Sequence, residues 1–307
     1  MSEAIAVDAV EINDLSVLAH GFKLSLKARN RSKETIKSYI GTVEMLREFC
    51  AESGFPTTVD RIGREVIETF MADQLSRWRP KTARIRYGNL QQFFKWALDE
   101  GEISESPMRN MDPPHVPDVP VPIITDDHLK RLLKECEGKT FENRRDSAIL
   151  RVFLDTGIRM GELTGLRVED VDFELEVLIV VGKGRRPRSV PFGAKTSQSL
   201  ERYARVRRAH QFARLDTWWL GAKGALGDSG VTQMIRRRCK DAGIPQLHAH
   251  LFRHTAAHQW LSMGGNETDA LRLFGWKSRA MLSRYGASAA DERARESFRR
   301  LAPGDRL

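Results

Sequence analysis

Cysteine is scarce in this chain: three among 307 residues, at Cys50, Cys136 and Cys239. They are odd in number, far apart and free of any CxxC pair. A disulfide framework is thereby excluded, and a reducing cytoplasmic setting is expected. Long apolar runs are also missing. None approaches the ~18–20 residues that a membrane span needs. The opening residues, MSEAIAVDAVEINDL, are acidic and have no basic stretch before an apolar one, so no secretory signal is read there. Tyrosine occurs only four times.

Acids are missing from two stretches, residues 76–95 and 242–266. The whole chain is basic, with 50 Lys and Arg against 41 Asp and Glu. The excess is uneven. Residues 1–110 hold 16 of each sign, so residues 111–307 carry the net +9. Such a surplus points to a polyanionic partner, with a solubility surface as the plainer alternative.

What is there begins with helices. ETIKSYIGTVEMLREFCAES places Ile36, Ile40, Val43, Leu46 and Phe49 at three- and four-residue steps, after a capping Ser32 and before Gly54. REVIETFMADQLSRW and TARIRYGNLQQFFKWALDEG repeat the pattern, and a further helix is expected over 12–28. Four helices imply a small bundle spanning residues 1–105. Residues 106–122 then hold six prolines, which block helix continuation and read as an extended linker. A second domain, 123–307, opens with the capping pattern TDDHLKRLL. VDFELEVLIVVGKGRRPRSVPF reads as a small antiparallel sheet with a basic hairpin tip. Helices are expected near 196–212, 230–242, 251–263, 267–274, 278–286 and 290–300. The fold class is thus mainly α, with a mixed α+β second domain.

Several groups carry candidate chemistry. Arg77, Arg79, Lys81, Arg84 and Arg86, with Lys95, form the acid-free run and could hold phosphates. In TGIRMGELTGL, Arg159 sits at a helix start with Glu162 three residues on. That position is unfavourable for a cation unless it faces an anion beside free backbone N–H groups. Lys183 lies in a glycine-flanked turn, from which it could reach a phosphate or a leaving oxygen. Arg236, Arg237, Arg238 and Lys240 give a basic helix that, with Thr232 and Gln233 at its start, would fit a DNA groove, with a generic basic face as the plainer alternative. HAHLFRHTAAHQW holds four of the eight histidines. Its i,i+4 pairs fit a metal in spacing, but the central Arg253 and the lack of acids argue against one.

Each motif is weak alone; their order is specific. Arg159 with Glu162, Lys183 on a hairpin, His250-x-x-Arg253, Trp276 and Tyr285 resemble the catalytic series of the tyrosine recombinase (phage integrase) family. TGIRMGELTGL, VGKGRRPRSVP and HLFRHTAAHQWL carry the resemblance. It implies a core-type DNA-binding domain over 1–105, without a separate arm-binding domain, and a catalytic domain over 123–307. Tyr285 would be the nucleophile, forming a 3′-phosphotyrosyl link. Arg159 and Arg253 would grip the non-bridging oxygens, with Glu162 orienting Arg159. Lys183 would be the general acid, and His250 would assist proton transfer. Trp276 stands where many relatives carry histidine, and its indole N–H can donate to phosphate.

No cofactor is implied. The implied partners are double-stranded DNA, three further copies of the chain in a tetramer at a Holliday junction, and a possible directionality factor. The C-terminal helix would pack on a neighbouring protomer. A phage or mobile-element integrase is the expected role. A Xer-like resolvase, an inactive DNA-binding regulator and a metal-dependent hydrolase are the rivals. His248, His254 and His258 receive no catalytic role.

Overall fold

The computed structural model describes residues 12–117, 122–182 and 187–276, with 294–295, 298–299 and 302–306. The chain divides into two compact units, Met1–Asp118 and Val119–Leu307. The division falls within the proline-rich stretch.

The first unit is a helical bundle: α1 (Leu15–Ala28), α2 (Lys33–Ser53), α3 (Arg64–Arg77) and α4 (Pro80–Asp99). Its boundaries follow local chemistry. The Ser32 hydroxyl accepts from Thr35 N, Gly54 closes α2 in the left-handed region, and Pro80 occupies the first turn of α4. The apolar stripes of α2, α3 and α4 turn Val43, Leu46, Ile67, Phe70, Phe93 and Phe94 into the core. Leu75 and Ile85, which the periodicity also places inward, are instead 42% and 53% exposed.

The second unit holds α5 (Asp126–Lys134), α6 (Phe141–Thr156) and the short α7 (Met160–Thr164). A sheet follows, ordered β1 (Val171–Asp172), β2 (Val177–Val181), β3 (Pro187–Pro191), all antiparallel. Val177 pairs with Pro191 and Val181 with Pro187. Then come α8 (Ala194–Arg208), the small hairpin β4 (Leu220–Gly221) and β5 (Gly224–Ala225), α9 (Asp228–Asp241), α10 (Ala249–Ser262) and α11 (Glu267–Leu273). The β4–β5 hairpin has no sequence signal, because two-residue strands are too short to show alternation. The helices expected over 278–286 and 290–300 lie outside the described residues, apart from isolated positions.

The core of this unit gathers around α6, where Ile149, Val152 and Phe153 are fully buried. A buried ionic knot lies beside it. Asp146 is 0% exposed and ion-pairs with Arg145, Arg237 and Arg238 at 2.8, 3.0 and 2.8 Å.

Candidate active site

Helix α6 ends at Gly157, whose φ of 56° is left-handed and whose N–H returns to Phe153 O. A Cβ there would stand 2.6 Å from the Phe274 ring, so the close approach of that ring requires glycine. The chain then turns out through buried Ile158 to Arg159. This residue is extended (φ −75°, ψ 152°) and begins α7. Glu162 folds back on it. One carboxylate oxygen accepts from the Arg159 backbone N–H at 3.0 Å, and the other from Arg159 Nη1 at 2.9 Å. A helix start with an arginine is therefore held by its own third residue, a capping-box geometry.

A second arginine completes the arrangement. Arg188 on β3 donates from Nη1 and Nη2 to the two Glu162 oxygens at 2.7 and 2.8 Å, a bidentate fork. Sequence reasoning missed it. The available signal is strand period: Arg188 shares a face with Val190, which is buried. Burial pushes the Glu162 pKa up, but the Arg188 and Arg159 hydrogen bonds and charge outweigh it and hold the carboxyl near 2.

Arg253, on α10, is 2% exposed. Its Nη1 donates to Gly157 O at 2.6 Å, and its Nη2 to Phe274 O. The segment after α11 closes over both arginines. Gly275 O accepts from Arg159 Nη2 at 2.9 Å, and the Trp276 ring lies 5.2 Å from the Arg253 guanidinium carbon. Trp276 is itself buried. Four separated segments thus meet: 157–162, β3, α10 and 274–276. They bring together Arg159, Glu162, Arg253 and Trp276, and among the described residues three guanidinium groups face one carboxylate once Arg188 is counted. The surplus positive charge suits an anion, and Arg159 keeps 34% of its side chain exposed to meet one.

His250 lies one turn before Arg253 on α10 and is exposed, as is His248 at the helix start. His254 and His258 are half-buried on the same helix. Among the described residues, no group of three His, Cys, Asp or Glu is arranged to hold a metal ion. Lys183 and Tyr285 lie outside the described residues.

The expected DNA contacts divide. Arg79, Lys81 and Arg84, at the start of α4, are exposed. Arg77 is ion-paired to Asp73 at 2.7 Å. Arg86 donates to Gln74 and lies 4.7 Å above the Trp78 ring. On α9, Arg236 and Lys240 are exposed, and Arg237 is half engaged by Asp146. Arg238 overturns the expectation of a DNA-facing side chain. It is 8% exposed and bonds Asp146, Glu135 O and Asn143. The reason is periodic: Val231, Met234 and Ile235 form the buried stripe of α9, and position 238 continues it.

Residues 122–292 match the phage integrase family, and residues 18–102 match the phage integrase N-terminal SAM-like domain. Tyrosine recombinase XerC of Staphylococcus aureus (strain JH9) is 28% identical over 261 residues, covering 84% of this chain and 87% of the relative. The crystal structure of XerA recombinase is similar with a TM-score of 0.52 and 26% identity, covering 92% of this chain and 97% of that one. XerH site-specific recombinase bound to a palindromic difH substrate has the same fold at a TM-score of 0.74 and 17% identity, covering 92% and 84%.

Proposed function

The chain belongs to the phage integrase family of tyrosine-type site-specific DNA recombinases, and from that premise we propose how its residues cut and rejoin DNA. Tyr285 Oη attacks the scissile phosphorus. An Oη–P bond forms, the P–O5′ bond breaks, and a 3′-phosphotyrosyl link holds the strand. The 5′ oxygen leaves with a proton from Lys183. Attack by a 5′ hydroxyl on the new link reverses the chemistry on a second strand. One phosphodiester-like bond replaces another, so no energy source is consumed.

Charge builds on the non-bridging oxygens in the transition state. Arg159 and Arg253 receive it, and His250 serves proton transfer at the nucleophile. The observation that carries the reading is the Glu162 fork. One carboxylate holds Arg159 and Arg188 rigid in advance, so little reorganisation is needed when the phosphate charge develops. Phosphate binding exchanges the Phe274 carbonyl on Arg253 for a phosphate oxygen. Trp276, stacked beside Arg253, walls the same cation. Arg79, Lys81, Arg84, Arg236 and Lys240 take up backbone phosphates of the duplex.

The active form is a tetramer on two synapsed duplexes, as in the lambda integrase tetramer bound to a Holliday junction. The role is phage or mobile-element integration, with a directionality factor as a further partner. A Xer-like resolvase is the second reading, favoured by the XerC match along most of both chains.

A suicide duplex nicked beside the cleavage point tests the chemistry. Wild type becomes covalently attached to DNA, and Tyr285→Phe does not. Attachment that persists in Y285F sinks the nucleophile assignment. Sequencing the DNA trapped in cells separates the two roles: an element end and its target for an integrase, one chromosomal locus for a resolvase.

A further inference from the structure

A groove in the second unit runs between α5, α6 and α8. Lys130 and Lys134 line it from α5, Arg144 and Arg151 from α6, and Lys195 and Arg202 from α8. Lys139, in the turn before α6, adds a seventh cation, and Glu137 is the one acid of the lining. None of the seven has an ion pair or a side-chain hydrogen bond among the described residues. Elsewhere in the same unit, several cations are paired with buried carboxylates, as around Asp146 and Glu162. Arg144 and Arg151 are half-buried, so their charges are partly shielded from water without a carboxylate in compensation. Such an array raises the local potential strongly and favours an anion.

The groove is not the catalytic site. Residues 144, 147 and 151 share one face of α6 at steps of three and four. Val152, Phe153 and Thr156 occupy the opposite face and are buried. That opposite face is the one that leads into Gly157 and Arg253.

Two classes of polyanion could fit: a nucleic acid or an acidic peptide. A peptide draws most of its affinity from apolar or aromatic anchors in pockets. The groove supplies only Leu133 and Cys136, and Cys136 is buried. A phosphate backbone needs no apolar anchor, and Ser147, Gln198 and the lysines are the donors it uses. The cation spacing agrees. Positions 130 and 134 are ~6 Å apart along α5, and 195 and 202 are ~10 Å apart along α8. Steps of this size match one to two phosphates on a strand.

We propose that the α5–α6–α8 groove is a second, sequence-independent binding site for the phosphate backbone of duplex DNA, apart from the duplex held at the catalytic residues. The inference rests on the recombinase reading and deepens it. Its role is to hold flanking or synapsed DNA against the outer face of the catalytic unit.

The test uses the full chain with Lys134→Gln, Lys195→Gln and Arg202→Gln combined, three exposed positions outside the core. Binding to a long random-sequence duplex is measured over a range of salt. Loss of three phosphate contacts makes the slope of log affinity against log salt shallower by about 2.7. A short nicked duplex that reaches only the catalytic residues still becomes attached to Tyr285 at the wild-type rate. An unchanged slope on the long duplex overturns the groove. Equal losses on long and short duplexes also overturn it, because they place the three cations on the catalytic duplex. Loss of polyglutamate binding with duplex binding intact assigns the groove to an acidic peptide and overturns the DNA proposal. Failure of wild type to attach to the nicked duplex is a separate result. It strikes the recombinase reading while the salt slopes still judge the groove.

Discussion

Glu162 is the residue on which most of the local electrostatics turns. Its carboxylate is 5% exposed and ion-pairs with two arginines at once. Its pKa is held near 2, against an ordinary value near 4.5. A depressed carboxylate stabilises the folded state above its unfolded pKa and loses that contribution as pH falls through the folded pKa. The window therefore runs from about pH 5 down to about pH 2, and the contribution is on the order of 3 kcal/mol. Glu162→Gln should lower the urea midpoint at pH 7, with the gap to wild type closing as pH falls to 2. A gap that stays constant across that range would show that the carboxylate charge is not what matters. The Arg159–Glu162 pair was visible in the sequence because both lie within one helical turn. Arg188 was not, because 26 residues separate it from Glu162 and only the sheet brings them together.

Among elements, the break between α6 and α7 carries the most. Gly157 ends α6, opens a carbonyl to Arg253 and leaves room for the Phe274 ring. Gly157→Ala puts an L-residue at left-handed φ, which costs ~1–2 kcal/mol, before the overlap with Phe274 is added. The expected result is a lower unfolding midpoint together with a fall in DNA cleavage that outlasts correction for the folded fraction. Full cleavage activity in folded G157A would mean the Phe274 approach is dispensable. The helices themselves were largely legible. Capping residues such as Ser32 and Thr125 and the period of apolar residues mark their starts and faces. The basic helix α9 shows the limit of that reading. Four cations within five residues look like one face when read along the chain, yet a helix distributes them, and the apolar stripe claims Arg238.

For the whole molecule, the proposed function turns on assembly of several copies on DNA. The C-terminal stretch ADERARESFRRL lies largely outside the described residues, and the spacing of Ala294, Phe298 and Leu301 in the sequence supports the proposal that it docks on a neighbouring copy. Deleting residues 290–307 should weaken synapsis while leaving binding to a single duplex unchanged. Native gels with one and two duplexes distinguish the two, and undiminished recombination by the truncated chain would refute docking in trans.

Chain order and periodicity alone determined the helical bundle, the proline-rich break and the small sheet, because these rest on local steric and hydrogen-bonding rules; the proposed catalytic series came from the resemblance of its motifs to those of the family. Composition alone showed that the net positive charge lies beyond residue 110. Which cations are spent on structure and which face outward was decided only by packing. Arg238 satisfies a buried aspartate, Arg188 secures Glu162, and the seven cations of the α5–α6–α8 groove have no such counterpart among the described residues. A charge acquires its role from what lies within a few ångströms of it, and three-dimensional contact brings residues distant in the chain into that range.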